Sequence, residues 1–251
     1  MIGMNAVRVA VVTGGSGGIG SACAERLARD GFDVVSVDLV PPSDRRPGRH
    51  VTADLLDVDG AVAAIRAVCT RIDVLVNCAG IVEPRPFGEV AIADWERVVG
   101  VNARAPFFLL QGLADLMPPG SAVVGIASIE AVTVLAMSGA TSPVYASTKA
   151  ALRSLTETLA VDLGPRGIRV NAVAPGLIRT PLTSRAQADE RDAWIRSHTP
   201  LGRWGEPADV ADVVGFLAAP ASRFMTGTTL VVDGGISLGQ IRGSDEGAAQ
   251  R

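Results

Sequence analysis

Short apolar, β-branched runs alternate along the chain with longer stretches of helical spacing. Val7–Thr13, Phe32–Asp38, His50–Asp54, Ile72–Asn77, Ser121–Ser128, Ile168–Ala174 and Thr228–Asp233 read as strands. Between them Ile19–Asp30, Val58–Thr70, Ala93–Leu116, Tyr145–Leu163 and Pro207–Leu217 read as helices. Strand–helix alternation predicts βαβ units and a parallel sheet, the doubly wound α/β class. The nearly unbroken apolar run Val9–Val12 suits a sheet covered on both faces. No repeat or linker divides the chain, so residues 1–251 are expected to form a single domain. Pro41–Arg49 is a polar, turn-rich loop. Leu182–Trp204 is the longest departure from the pattern and mixes polar residues with Trp194 and Trp204, as lids and binding loops do. The polar tail from Gly239 to Arg251 is expected to be disordered.

Composition narrows the functional classes. Hydrophobic residues make up 48% of the chain and aromatics 4%, so Ala, Val, Leu and Ile must build the core. A net charge of −3 argues against a nucleic-acid partner, which needs a basic face. No apolar run approaches the roughly 18 residues of a membrane span. The N-terminus lacks the basic start and cleavage site of a signal peptide. Cys23, Cys69 and Cys78 are odd in number and scattered, which reads as reduced thiols in a cytoplasmic protein. His50 and His198 sit in no metal-type cluster, so no metal site is expected.

The first strand leads directly into Thr13-Gly14-Gly15-Ser16-Gly17-Gly18-Ile19-Gly20. Glycine permits a tight turn and close approach of the backbone to a pyrophosphate. The helix that follows offers free N–H groups to phosphate oxygens. A glycine run alone also fits a plain strand–helix turn. Here an acid, Asp38, closes the next strand 20 residues beyond Gly18, the spacing of a carboxylate that binds the adenosine ribose. Such a carboxylate favours NAD over NADP, whose 2′-phosphate it would repel. The nearest downstream cations, Arg45 and Arg46, lie in a loop that would have to fold back to reverse that preference.

Of 23 basic residues one is Lys, and the chain has one Tyr. These two, Tyr145 and Lys149, stand four apart at the start of a predicted helix, on one face. A phenol is a poor base at neutral pH. A neighbouring ammonium stabilises its phenolate and lowers its pKa. The bland reading is a surface Tyr and a solvated Lys on an amphipathic helix.

Over nearly its whole length the chain resembles the compact single-domain members of the short-chain dehydrogenase/reductase family. The resemblance rests on the glycine turn, the acidic pair Asp54-Leu55, Asn77-Cys78-Ala79-Gly80, the set Asn102, Ser128, Tyr145 and Lys149, the stretch Asn171–Thr180, and the closing Val232-Asp233-Gly234-Gly235. It implies a Rossmann-type, seven-stranded parallel sheet with helices on both faces, a homotetramer, and hydride transfer between a nicotinamide and a secondary alcohol or ketone. By the same resemblance Tyr145 is the general acid/base, and Lys149 holds the nicotinamide ribose and lowers the Tyr145 pKa. Ser128 binds the substrate oxygen, and Asn102 supports a proton path through water. Gly14, Ser16, Gly17, Gly18, Ile19 and Gly20 would cradle the cofactor, Asp38, Asp54 and Leu55 its adenosine, and Asn77, Ala79, Gly80, Pro175, Gly176, Ile178 and Thr180 its remainder.

Two departures stand out. Cys78 replaces an amide. The gap from Ser128 to Tyr145 is 17 residues, a few more than usual, and the extra ones in Glu130–Pro143 reshape a pocket wall. Glu130 is expected to face solvent, with contact to a polar substrate as the alternative. Leu135, Met137, Leu177 and Trp194 suggest an apolar pocket for a cyclic or terpenoid-like alcohol, or simply the packing of the lid. A carbonyl reductase of 3-oxoacyl chains, docked through Arg104 and Arg153, is the first competing function. A nucleotide-binding scaffold without turnover is the second.

Overall fold

The computed structural model describes residues 7–42, 48–134, 141–181, 183 and 189–239. Seven strands form one sheet: β1 (Val9–Thr13), β2 (Asp33–Asp38), β3 (Arg49–Thr52), β4 (Val74–Asn77), β5 (Ala122–Ile126), β6 (Arg169–Pro175) and β7 (Thr229–Val232). Their spatial order is β3-β2-β1-β4-β5-β6-β7, and every pairing is parallel. Strand periodicity explains why so few polar residues enter it. Val9 and Val11 of β1 join one apolar cluster, while Ala10 and Val12 join the other. Both faces are therefore buried, as a parallel sheet requires.

Among the described residues seven α-helices complete the framework: α1 (Gly18–Arg29), α2 (Val58–Val68), α3 (Ile92–Val99), α4 (Ala105–Leu113), α5 (Pro143–Leu163), α6 (Asp189–His198) and α7 (Pro207–Ala218). Helices α2 and α4 pack on one face, α1 and α7 on the other. The chain reverses its direction of progress across the sheet between β1 and β4. Ligands of doubly wound sheets bind at such a switch point, beyond the carboxyl ends of the strands.

The continuous helix expected over Ala93–Leu116 is interrupted. A π turn, Gly100–Arg104, separates α3 from α4, and a short 3-10 turn ends the segment at Leu116. The wide turn carries Asn102, and extra-residue turns of this kind recur at functional sites. Gly100 sits against Leu56, where a Cβ would lie 2.7 Å from a Leu56 methyl. The Leu182–Trp204 segment contains α6, which its polar composition hid from a periodicity reading. Helix α6 is tied down at one end: Trp204, 1% exposed, donates from its indole nitrogen to Asp192 at 2.7 Å. The Arg45–Arg46 pair, Leu135, Met137 and residues 240–251 lie outside the described residues.

Candidate active site

The loop between β1 and α1 fits its surroundings because most of its positions are glycine. Gly14 has φ +68°, and a Cβ there would lie 2.8 Å from the Ala79 Cα. A Cβ on Gly20 would lie 2.1 Å from the Gly14 carbonyl oxygen, and one on Gly18 2.9 Å from the Thr180 methyl. Thr13 locks the loop to the turn after β4, because its hydroxyl accepts the Cys78 and Ala79 N–H groups at 3.1 and 3.2 Å. Asp38, at the end of β2, accepts the Ser16 N–H at 2.9 Å through one carboxylate oxygen and the Leu39 N–H at 2.8 Å through the other. That carboxylate is fixed in position and retains acceptor capacity toward the cleft.

These loops border a cleft of about 420 Å³. The glycine turn, Asp38, Asp54 and Leu55 line one end, and Ser128, Tyr145, Lys149, Gly176, Ile178 and Thr180 the other. Helix α5 begins with Pro143 at its first turn, where a missing N–H costs nothing, and presents Tyr145 and Lys149 one turn apart. Lys149 is 3% exposed and donates to the Ile126 carbonyl at 2.7 Å. Burial lowers its pKa from 10.5 to about 8. Its ammonium lies 5.5 Å from the centre of the Tyr145 ring. Tyr145 is itself held well above the usual phenol range, by burial first and then by the charge of Glu130, with hydrogen bonding to Ser128 pulling the other way. Cys78 is pushed up to about 12 by burial, although Lys149 acts to lower it.

Asn102 braces the site rather than lining the cleft. Its side-chain oxygen accepts the Ile81 N–H at 2.9 Å, and its amide donates to the Ile81 carbonyl at 2.9 Å and to the Thr148 hydroxyl at 3.1 Å. One side chain thus joins the loop after β4 to α5.

A family model described as enoyl-(acyl carrier protein) reductase matches residues 14–237. The chain is 37% identical to gluconate 5-dehydrogenase of Gluconobacter oxydans over 91% of its own length and 94% of the relative's. A solved aldohexose dehydrogenase of Thermoplasma acidophilum superposes with a TM-score of 0.86 at 30% identity, covering 96% of this chain and 98% of that one. A blue fluorescent protein from a metagenomic library, solved with NADPH, superposes at 0.83 with 37% identity over 91% and 97%. The chain belongs to the short-chain dehydrogenase/reductase family. It is an NAD(P)-dependent oxidoreductase acting on hydroxyl or carbonyl groups.

Within this short-chain dehydrogenase/reductase, the structure gathers most of the residues singled out from sequence. Gly14, Gly17, Gly18, Ile19 and Gly20 line the cleft, with Ala79, Gly80 and Pro175. Ser16 touches it indirectly, through its N–H bond to Asp38, and its hydroxyl donates to the Val40 carbonyl at 2.8 Å. Asn77 is a correction. The alternation of β4 turns it to the opposite face, into a small apolar cavity beside Leu152 and Thr156, where its side-chain oxygen is unpaired.

A second correction concerns electrostatics. Lys149 was expected to lower the Tyr145 pKa, but here burial and Glu130 raise it, and the ammonium is turned onto the Ile126 carbonyl. Glu130, expected to face solvent, is partly buried. Trp194 does not close a pocket; it is 39% exposed and stacks on His198 at 4.1 Å.

Sequence reasoning gave no role to Thr13, Ile81, the Ile126 carbonyl or Thr148. Thr148 lies between the two singleton residues, so a polar residue buried on the same helix was visible as a letter but not as a contact. The backbone groups carry no sequence signal at all. Among the described residues, no three His, Cys, Asp or Glu side chains converge on a point, and no helix is long and apolar enough to cross a membrane.

Proposed function

We propose that this enzyme oxidises a secondary alcohol with NAD as its preferred cofactor and Tyr145 as general base. The observation that carries the cofactor preference is Asp38. Two backbone N–H groups hold its carboxylate at 2.9 and 2.8 Å, so it cannot swing aside to admit a 2′-phosphate. It also consumes the Ser16 N–H, a donor that such a phosphate would need. The fit of a dinucleotide is supported by the glycines that line the cleft and by the N-terminus of α1 facing it. In this reading Gly14, Ser16, Gly17, Gly18, Ile19 and Gly20 hold the pyrophosphate side. Asp38, Asp54 and Leu55 hold the adenosine, and Ala79, Gly80, Pro175, Gly176, Ile178 and Thr180 the nicotinamide side.

The bound dinucleotide supplies the hydride acceptor for oxidation and the donor for reduction. Tyr145 takes the proton of the carbinol oxygen and returns it in the reverse direction. Ser128 hydrogen-bonds the same oxygen and restricts its approach. Lys149 binds the ribose beside the nicotinamide. Asn102 and Thr148 fix the relative position of α5 and the loop after β4. Relatives named for gluconate and for aldohexose support an alcohol substrate. The docking patch needed by a carrier-bound 3-oxoacyl substrate finds no support, because Arg104 donates to the Leu56 carbonyl and Arg153 pairs with Glu157. Exposed apolar side chains on α4, α5 and β7, such as Phe108, Val161 and Val231, support assembly as a homotetramer.

Titration with NADH and NADPH, followed by nicotinamide fluorescence, tests the reading. NADH should bind at least about tenfold more tightly, and Asp38→Ser should remove most of that difference, as expected for loss of hydrogen bonds to a charged group. Tighter NADPH binding by the unaltered enzyme would sink the NAD assignment and turn the substrate search toward ketones.

A further inference from the structure

Beyond β6 the cleft wall formed by Ile178 and Thr180 leaves regular strand structure, so its shape is set by what lies behind it. Two backbone bonds zip it to the segment before α7. The Gly205 N–H donates to the Leu177 carbonyl at 3.0 Å, and the Arg179 N–H donates to the Gly205 carbonyl at 2.8 Å. Position 205 is glycine for a steric reason, since a Cβ there would lie 2.3 Å from the Ile178 Cδ1. Its neighbour Trp204 is fully buried, and a buried indole N–H needs an acceptor. That acceptor is Asp192 of α6, at 2.7 Å. The same carboxylate oxygen lies 3.7 Å from the Arg179 guanidinium, which also sits 5.6 Å from the centre of the Trp204 ring. Arg196, one turn further along α6, holds the other carboxylate oxygen at 2.5 Å. Asp192 does not line the cleft, yet it reaches both partners of the zipped pair.

We infer that Asp192 is a positioning residue for hydride transfer, which holds Ile178–Thr180 in place through Trp204 and Arg179. The inference rests on the assignment of that segment to the nicotinamide side. Asp192 touches no reacting atom. Its removal leaves a buried indole N–H without an acceptor and, among the described residues, leaves Arg179 with Glu206 as its one carboxylate. Trp204 regains a partner only by shifting. The two backbone bonds and the tight Gly205–Ile178 contact carry that shift into the cleft wall. Hydride transfer demands close alignment of the nicotinamide, so a small displacement there is felt. The adenosine end is built at β2 and β3, across the sheet from β6, and stays as it was.

The test compares NADH with ADP-ribose, which lacks only the nicotinamide, on the full-length enzyme. NADH is followed by its own fluorescence and ADP-ribose by competition against it. The unaltered enzyme should bind NADH the more tightly. Asp192→Ala should weaken NADH by about tenfold and ADP-ribose by less than about twofold, and the emission of bound NADH should move toward that of free NADH. Asp192→Asn keeps an acceptor for the indole and should retain part of the affinity. Trp204→Phe removes the donor and should weaken NADH to a similar extent. Combined with Asp192→Ala it should add little, because both changes break one path. Effects of the two substitutions that multiply would overturn the inference. So would equal weakening of NADH and ADP-ribose, which marks a role in the fold alone, and so would unchanged NADH binding in Asp192→Ala. Should Trp204→Phe fail to fold, the two Asp192 variants decide alone. If the unaltered enzyme binds the two ligands equally, the assignment of Ile178–Thr180 to the nicotinamide fails first, and the inference falls with it.

Discussion

The two ends of the cleft are built from different materials. At the adenosine end the work is done by backbone. Glycines admit close approach, Thr13 pins two loops together, and Asp38 is clamped by N–H groups. At the reacting end the work is done by ionisable side chains that are buried or half-buried: Tyr145 is raised, Lys149 lowered, and Glu130 and Cys78 raised. Binding a constant ligand part calls for rigid geometry. Moving a proton calls for groups whose protonation states are finely balanced, and burial supplies that balance at a cost in stability.

The sharpest way to break this comparison is to remove chemistry without removing binding. Tyr145→Phe deletes one hydroxyl and leaves the ring in place. Turnover should fall by about 10²–10⁴-fold, the range for loss of a general acid/base. NADH affinity, set mostly at the other end, should change by less than about tenfold. A variant with near-normal kcat would show that the proton leaves by a route that bypasses Tyr145.

The same division decided what the sequence could reveal. The glycine turn and Asp38 were legible because backbone constraints select particular letters: a φ of +68° at Gly14, or a Cβ 2.1 Å from an oxygen at Gly20, admits only glycine. The positions of the strands and of most helices along the chain followed from apolar periodicity. Tyr145 and Lys149 stood out as singletons. Their electrostatics did not, because a pKa depends on burial and on neighbours brought from β4 and β5. Asn77 was misplaced because a motif match ignores the alternation of the strand that ends it. The π turn at Gly100–Arg104 was missed because the segment stays helical in composition on both sides. Helix α6 was missed because its charged sequence has little apolar rhythm.

A smaller effect is expected from Lys149. Its folded pKa, about 8, lies below the ordinary 10.5. Between those values the unfolded chain binds a proton that the folded protein does not. The slope of unfolding free energy against pH is therefore positive, and this contribution makes the cofactor-free protein more stable as pH rises from about 8 toward 10. The gain is on the order of 2 kcal/mol, from a shift of roughly two units within that window. Tyr145 opposes it only above the ordinary phenol value near 10, where the folded protein retains a proton that the unfolded chain loses. Urea unfolding at pH 7.5 and pH 9.5 reads the difference. Cys78, raised to about 12, acts the other way above the ordinary thiol value, so the lysine is read from the difference between the unaltered protein and Lys149→Met. A difference that does not change between the two pH values would mean that the lysine is hydrated rather than desolvated.

The smallest effect belongs to Glu130, and its sign is opposite to that of a paired carboxylate. Its folded pKa of about 6 lies above the ordinary 4.5, so the folded protein holds the extra proton between them. Stability from this group is fully present below 4.5 and is lost as pH rises through 6. Above pH 6 the native state must carry a poorly solvated, unpaired charge. Glu130→Gln should therefore be more stable than the unaltered protein at pH 8 and indistinguishable from it near pH 4.5. A shift of this size corresponds to roughly 2 kcal/mol for a fully buried group, and partial exposure reduces it to about 1 kcal/mol. That amounts to about 2–4 °C in Tm for a chain of this length. Thermal unfolding at the two pH values measures it. A variant less stable at pH 8 would place a donor against Glu130 in the ligand-free protein, and the carboxylate would then be part of the scaffold.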